Sequence, residues 1–239
     1  MAIDRQHPLL LQQDTFSHQL QPIAEGCSVQ GRSVLGWWLG QQPNNNHPVS
    51  YLIGAFHGDE PEAAELVLRF LKKHHNNQTL RPTLVIPILN PDGLAANTRV
   101  NANGVDLNRN WPTQNWDEPR SEDKYFGGPE PLSEPESEWL SQLLQQYPPK
   151  LILSIHTPYR EINIDGPART FAEKMATHNH YPITEDIGYP TPGSFGTCYG
   201  KEKDIPVITL ELPDWEEKKQ SFEQTWLENE PALLAVLAH

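Results

Sequence analysis

The sequence predicts an α/β protein whose central sheet is mixed but mostly parallel and carries helices on both faces. Short apolar segments typical of buried strands alternate along the chain with segments whose apolar residues recur at helical spacing. The length of 239 residues suffices for one full-sized core, and no stretch of low complexity separates a second unit. We therefore expect a single domain spanning residues 1–239.

Residues 1–75 are predicted to contain two strands and a helix. The first 33 residues show no clear pattern. The apolar run 33–40 predicts a strand, and VSYLIGAF at 49–56 predicts a fully buried one. In residues 60–75 the apolar positions follow a helical period, and Asp59 is expected to cap this helix.

The rest of the chain predicts three further strands and three further helices. A strand at 83–89 precedes the irregular segment 90–131, which is crowded with Asn, Asp, Gly and Pro. A loop of that length in a compact domain is usually functional. The later strands and helices alternate. They cover residues 133–147 (a helix with a capping box from Ser133 to Glu136), 151–155 (strand), 169–179 (helix), 206–210 (strand) and 215–237 (helix).

Charge and composition exclude several classes of function. A formal net charge of -13 disfavours nucleic acid and anionic membrane surfaces as partners, and no cluster of basic residues offsets it. No apolar run is long enough to cross a bilayer, and the N-terminus lacks the pattern of an export signal. The two cysteines lack the spacing of a metal or redox pair, which favours free thiols and a cytoplasmic location.

Two histidines and a glutamate have the placement expected of a catalytic zinc site. Such a site takes three His or carboxylate ligands and leaves a position open for water. His57 and Glu60 are three residues apart at a junction of loop and helix, and His156 directly follows a predicted strand. Each residue also has a structural interpretation: a loop histidine, a carboxylate favoured at a helix N-terminus and a satisfied core histidine. Their combination favours one bound zinc ion per chain.

Two arginines among turn-forming residues predict recognition of an anion. A guanidinium binds a carboxylate with two parallel hydrogen bonds, so Arg109, with Asn108 beside it, suits a terminal carboxylate of a substrate. Arg99 suits the oxyanion that forms when a carbonyl is attacked. The alternative is that both arginines tie a long loop to acidic neighbours.

Glu211 is the candidate general base. It follows the apolar strand 206–210, where partial desolvation would raise its affinity for a proton. The alternative is a carboxylate at a strand end that pairs with a surface lysine.

These motifs together resemble the zinc carboxypeptidase family of the carboxypeptidase A type. The resemblance rests on His57-x-x-Glu60, on Asn-Pro-Asp-Gly at 90–93, and on Asn-Ala-Asn-Gly-Val-Asp-Leu-Asn-Arg-Asn at 101–110. Ser-Glu-Pro-Glu at 133–136 and Gly-Tyr-Pro-Thr-Pro-Gly-Ser-Phe-Gly at 188–196 extend it, so that it covers about 31–213. The larger members place a tyrosine over the substrate, and Tyr189 lies near that place in the chain.

The resemblance implies both a mechanism and a substrate. His57, Glu60 and His156 would bind zinc, with Glu211 as base and Arg99 polarising the carbonyl, while Asn108 and Arg109 would hold the substrate carboxylate. Within the family, compact bacterial members imply hydrolysis of the γ-D-glutamyl to meso-diaminopimelate bond of murein tripeptide, a step in cell-wall peptide recycling.

Two other functions compete with this expectation. A deacylase of the succinylglutamate desuccinylase and aspartoacylase type shares the His-x-x-Glu motif, the Asn-Arg pair and a similar spacing to the second histidine. The segments 90–93 and 188–193 weigh against it. A catalytically silent muropeptide-binding protein is the third hypothesis, which the presence of every chemical role disfavours.

Overall fold

A computed structural model describes residues 7–43, 48–116, 124–214 and 221–238. Its eight strands form one sheet in the order β1-β2-β4-β3-β5-β8-β6-β7. The central pairs β4–β3, β3–β5 and β5–β8 are parallel, whereas β1–β2, β2–β4 and β8–β6 are antiparallel. The predicted class, a mixed and mostly parallel α/β sheet, is confirmed.

The strands are β1 (Ala24–Cys27), β2 (Ser33–Leu39), β3 (Val49–Ile53), β4 (Thr83–Ile86), β5 (Pro149–His156), β6 (Tyr159–Asp165), β7 (Ile183–Thr184) and β8 (Val207–Pro213). The helices are α1 (Pro8–Gln19), α2 (Pro61–His74), α3 (Pro91–Ala96), α4 (Pro135–Gln146), α5 (Arg169–Asn179) and α6 (Phe222–Leu237), and a short π-helical turn spans Thr197–Lys201.

The sheet has a hydrophobic core on each face. Successive side chains of a strand point to opposite faces, so in β3 Leu52 packs with one core while Tyr51 and Ile53 pack with the other. Helices α1, α2, α5 and α6 cover the Leu52 face, and α4 with the π-helical turn covers the opposite one. Helices therefore lie on both faces, as the sequence predicts.

The predicted central elements exist, with shifted ends. Strand β3 ends at Ile53, three residues early, because Ala55 adopts a left-handed φ of 46° and turns the chain. The predicted caps are wrong: Glu60 and Glu134 occupy the N-cap positions of α2 and α4, and neither side chain makes a capping hydrogen bond. The start predicted for the last helix, residue 215, lies outside the described residues.

Five elements carry no signal that the sequence analysis used: α1, β1, α3, β6 and β7. Strand β6 does carry the alternation of apolar and polar residues that is typical of a half-buried strand: Ile162 and Ile164 face the core, and Asn163 and Asp165 face a cleft. Strand β8 also runs two residues past Glu211, because it pairs with β6 as far as Pro213. Glu211 therefore lies within a strand, not at its end.

Within the described part of the chain, every helix is too short or too polar to span a lipid bilayer. Cys27 is exposed and Cys198 is buried, and both are free thiols, as expected.

Candidate active site

The loop that carries His57 is shaped by a close approach of two backbones. A Cβ atom at Gly58 would overlap the backbone of Gly93 in α3, so only glycine fits there. The Asn90 side chain caps α3 by accepting a hydrogen bond from Gly93 N, and its Nδ2 donates to the carbonyls of Phe56 and Arg99. The Asn-Pro-Asp-Gly motif thus connects the His57 loop to the segment that carries Arg99.

His57, Glu60 and His156 converge from three elements. His57 follows β3, Glu60 immediately precedes α2, and His156 is the last residue of β5. His57 Nδ1 lies 2.7 Å from Glu60 Oε1, His156 Nδ1 lies 2.9 Å from Glu60 Oε2, and the two Nδ1 atoms are 3.2 Å apart. All three side chains are buried.

Two further residues orient the imidazoles, and the sequence analysis assigned a role to neither. Asp106 Oδ1 lies 3.0 Å from His57 Nε2, and Ser154 Oγ lies 2.9 Å from His156 Nε2. A carboxylate only accepts hydrogen bonds, so Asp106 places the proton of a neutral His57 on Nε2 and leaves the lone pair on Nδ1. Asp106 lies in the motif at 101–110, where an acidic residue two positions before the Asn-Arg pair is the available signal.

This donor set fits a divalent metal ion. Two imidazole lone pairs and two carboxylate oxygens face one another, and ligand atoms from all three residues lie within 4.8 Å of one another. A catalytic zinc ion takes His and carboxylate ligands of this kind. Although burial alone would raise the pKa of Glu60, His57 and His156 hold it well below its usual range. Burial lowers the pKa of His156, which favours the neutral form that a metal requires.

Glu211 lies beside this cluster. Strands β5 and β8 are parallel neighbours, and the Cα atoms of His156 and Glu211 are register partners. Glu211 is 3% exposed, and its Oε2 has no hydrogen-bond partner among the residues that the structure describes. Burial, together with the negative charge of Glu60, raises the pKa of Glu211 well above its ordinary value. Such a carboxylate accepts a proton more readily than a solvated one.

Arg99 is oriented toward the cluster by Asp106. Its Nε donates to Asp106 Oδ2 at 3.0 Å, its Nη2 lies 2.9 Å from the same oxygen in an ion pair, and Nη1 lies 3.8 Å from Glu60 Oε1. Although burial alone would raise the pKa of Asp106, contacts with His57 and Arg99 hold it far below its usual range. Asp106 is thus ionised and holds one imidazole and one guanidinium in place together.

Asn108 and Arg109 lie further along the same cleft. Asn108 Oδ1 accepts a hydrogen bond from Phe195 N at 3.1 Å, which leaves its Nδ2 as a donor for a ligand. Arg109 is 4% exposed, and its Nη1 donates to the carbonyl of Asn108. The guanidinium groups of Arg99 and Arg109 lie 5.1 and 5.6 Å from the centre of the Tyr125 ring.

A cleft of about 670 Å³ contains all seven residues that the sequence singled out. Tyr189 lines it as well, with its ring centre 6.2 Å from that of Tyr125. So do Asn163, Asp165 and Thr209, polar residues of β6 and β8 that the sequence analysis did not identify. The cleft thus brings together three buried residues that could hold a metal ion, a carboxylate of raised pKa and two arginines, a combination that suits metal-assisted hydrolysis.

Comparison with known proteins defines the class. Residues 11–165 match the zinc carboxypeptidase family. The chain belongs to that family and is a hydrolase. Glu211 lies beyond the matched residues, and the parallel pairing of β5 with β8 brings it to the site.

Two relatives and two solved structures match most of this chain. The chain is 34% identical over 209 residues to murein peptide amidase A of Vibrio campbellii, covering 81% of this chain and 80% of the relative. It is 32% identical over 207 residues to the Escherichia coli protein of that name, with coverage of 79% and 81%. The crystal structure of an E. coli murein-tripeptide amidase superposes with a TM-score of 0.72 at 28% identity, covering 88% and 90% of the two chains. Carboxypeptidase A of Helicoverpa armigera shares the fold, with a TM-score of 0.78, 19% identity, and coverage of 94% and 70%.

Proposed function

We propose that this chain is a zinc-dependent amidase that hydrolyses the γ-D-glutamyl to meso-diaminopimelate bond of murein tripeptide. The observation that carries the proposal is the cluster of His57, Glu60 and His156, with Glu211 beside it and Arg99 directed at it. The similarity to murein peptide amidases over four-fifths of both chains supports the substrate. One catalytic domain, residues 1–239, would act in the cytoplasm during recycling of cell-wall peptides, which agrees with the two free thiols.

Each residue has a distinct part in this reaction. Arg109 and Asn108 bind the carboxylate next to the scissile amide and so place the carbonyl beside Arg99. Arg99 donates to the oxygen on which negative charge develops. Glu211 takes a proton from the attacking water and passes it to the leaving amine. His57, Glu60 and His156 would hold a zinc ion, which would supply Lewis acidity to the carbonyl and to the attacking water near neutral pH.

The experiment that tests the proposal compares two substrates. The zinc-loaded protein is incubated with murein tripeptide and with N-acetylaspartate, and free diaminopimelate and acetate are measured. Release of diaminopimelate alone, abolished by a chelator and restored by zinc, supports the proposal. Release of acetate alone would instead indicate a small-molecule deacylase, and metal binding with no hydrolysis of either would indicate a binding protein.

A variant of the base separates catalysis from metal binding. Glu211→Gln keeps the size of the side chain and is not a metal ligand, so we expect about one zinc ion per chain to remain bound. Loss of a general base lowers the rate by roughly 10²- to 10⁴-fold. Full activity of this variant would contradict the role of Glu211, and loss of the metal would show that the residue supports the site instead.

A further inference from the structure

A row of polar side chains leads away from Glu211 along two paired strands. In β6 and β8 the Cα partners are Glu161 with Glu211, Asn163 with Thr209, and Asp165 with Val207. The intervening residues Ile162 and Ile164 point into the core on the other side of the sheet. Asn163, Thr209 and Asp165 line the cleft. At about 3.3 Å per residue, Asp165 lies about 13 Å along the strand from the level of Glu211.

Asp165 forms an ion pair with Lys201 at this distance from Glu211. Lys201 Nζ lies 3.1 Å from Asp165 Oδ1, and both residues line the cleft. The side chain of Asp165 is 11% exposed, whereas that of Lys201 is 54% exposed. A Cβ atom at Gly196 would overlap Asp165 Oδ2, so the backbone passes directly against this carboxylate. Asp165 is therefore fixed in the wall, while Lys201 reaches it from solvent and can move.

We propose that Asp165 and Lys201 bind the far end of the substrate's side chain, and that this end is an amino-acid head group with an ammonium and a carboxylate. The ammonium would replace Lys201 as the partner of Asp165, and Lys201 would turn to the carboxylate. Each charge then keeps an opposite partner, which neither an apolar nor a purely cationic side chain provides. The inference rests on the proposed function for the bond that is cut.

The dimensions agree with diaminopimelate. Five bonds separate its α-carbon from the distal nitrogen and span roughly 6 Å when extended. The scissile carbonyl and amide nitrogen lie before the α-carbon and add several ångströms between Glu211 and the start of the side chain. With a hydrogen-bonding contact of about 3 Å at each end, the substrate spans roughly the distance to the level of Asp165, and Asn163 and Thr209 lie beside its path.

The test uses two substrates that differ at this end alone: murein tripeptide ending in meso-diaminopimelate and the same peptide ending in L-lysine, which lacks the distal carboxylate. The wild-type protein should prefer the former by about tenfold or more in kcat/KM, as expected for a hydrogen bond to a charged group. Lys201→Met should remove most of that preference by slowing the diaminopimelate peptide alone. Asp165→Asn should slow both peptides by about tenfold or more.

Controls separate this inference from the proposed function. Lys203→Met makes the same charge change two residues away, where the lysine contacts the Tyr199 ring, and should leave the preference unchanged. Competitive inhibition by free meso-diaminopimelate and by L-lysine, measured with each variant, reports binding without turnover. Equal cleavage of both peptides by the wild type, or equal losses in Lys201→Met, would overturn the inference while the proposed function stands. No cleavage of either peptide would overturn the proposed function itself.

Discussion

Replacing Asp106 by asparagine removes the residue that holds His57 and Arg99 together. Asp106 is 0% exposed, and its side chain accepts three hydrogen bonds and forms an ion pair. One oxygen accepts from His57 Nε2 at 3.0 Å and from Asn108 N at 2.8 Å, and the other accepts from Arg99 Nε at 3.0 Å and lies 2.9 Å from Arg99 Nη2. Asparagine offers one oxygen and one NH2 group, so the donors on one of these two sides lose their acceptor.

The orientation of the new amide decides which property is lost. If its nitrogen faces Arg99, the ion pair is lost together with one hydrogen bond to a charged group, which is worth about 1.5–3 kcal/mol. Arg99 then loses its orientation toward the carbonyl, and kcat/KM should fall at least about a hundredfold. If the nitrogen faces His57, the imidazole proton moves to Nδ1, where a metal must bind. Metal affinity should then fall by about 10- to 100-fold.

Two measurements test these effects. Competition with a chromophoric chelator gives the zinc affinity, and steady-state kinetics of the zinc-loaded variant give kcat/KM. Asp92→Asn is the matched control, since Asp92 is also buried and binds Ser28 and Arg32, away from the cleft. We expect the control to lower stability without changing zinc affinity. If Asp106→Asn changes zinc affinity and kcat/KM by less than twofold, the reasoning about Asp106 is wrong.

The remaining predictions concern the arginines and a buried carboxylate. Arg99→Ala should lower kcat by about a hundredfold or more, whereas Arg109→Ala should chiefly raise KM. Steady-state kinetics of both variants test this division of roles, and equal, mild effects on kcat alone would refute it. Burial raises the pKa of Glu136 to about 7 from 4.5, so the folded protein holds this proton more tightly than the unfolded chain does. The resulting stability is present below pH 4.5 and is lost as pH rises to about 7, which at 1.36 kcal/mol per pH unit amounts to about 3 kcal/mol. Glu136→Gln should therefore reduce the change in unfolding free energy between pH 4.5 and 7 by about that amount. If the unfolding free energies of the variant and the wild type change equally with pH in denaturation experiments, Glu136 does not titrate in this range.

The strands and helices that pack a continuous apolar face against the core were predictable from sequence. The apolar run at 49–56 and the helical period at 60–75 depend on burial against one core, which leaves a local pattern. Strand β6 leaves a different and shorter pattern, an alternation over 161–165 in which Asn163 and Asp165 face the cleft. Helix α3 is only six residues long, and its capping by Asn90 has no periodic signal.

The sequence by itself determined which chemical groups are present: a His-x-x-Glu motif and a later histidine at the ends of predicted strands, an Asn-Arg pair in a long irregular segment, and an acidic residue just after the last predicted strand. Covalent spacing accounts for this, since His57 and Glu60 share one turn and Asn108 adjoins Arg109. Only the tertiary structure decided that Glu211 stands beside His156, that Asp106 joins His57 to Arg99, and that Asp165 meets Lys201. Those contacts depend on strand register and on side chains far apart in the chain, and no local pattern encodes either.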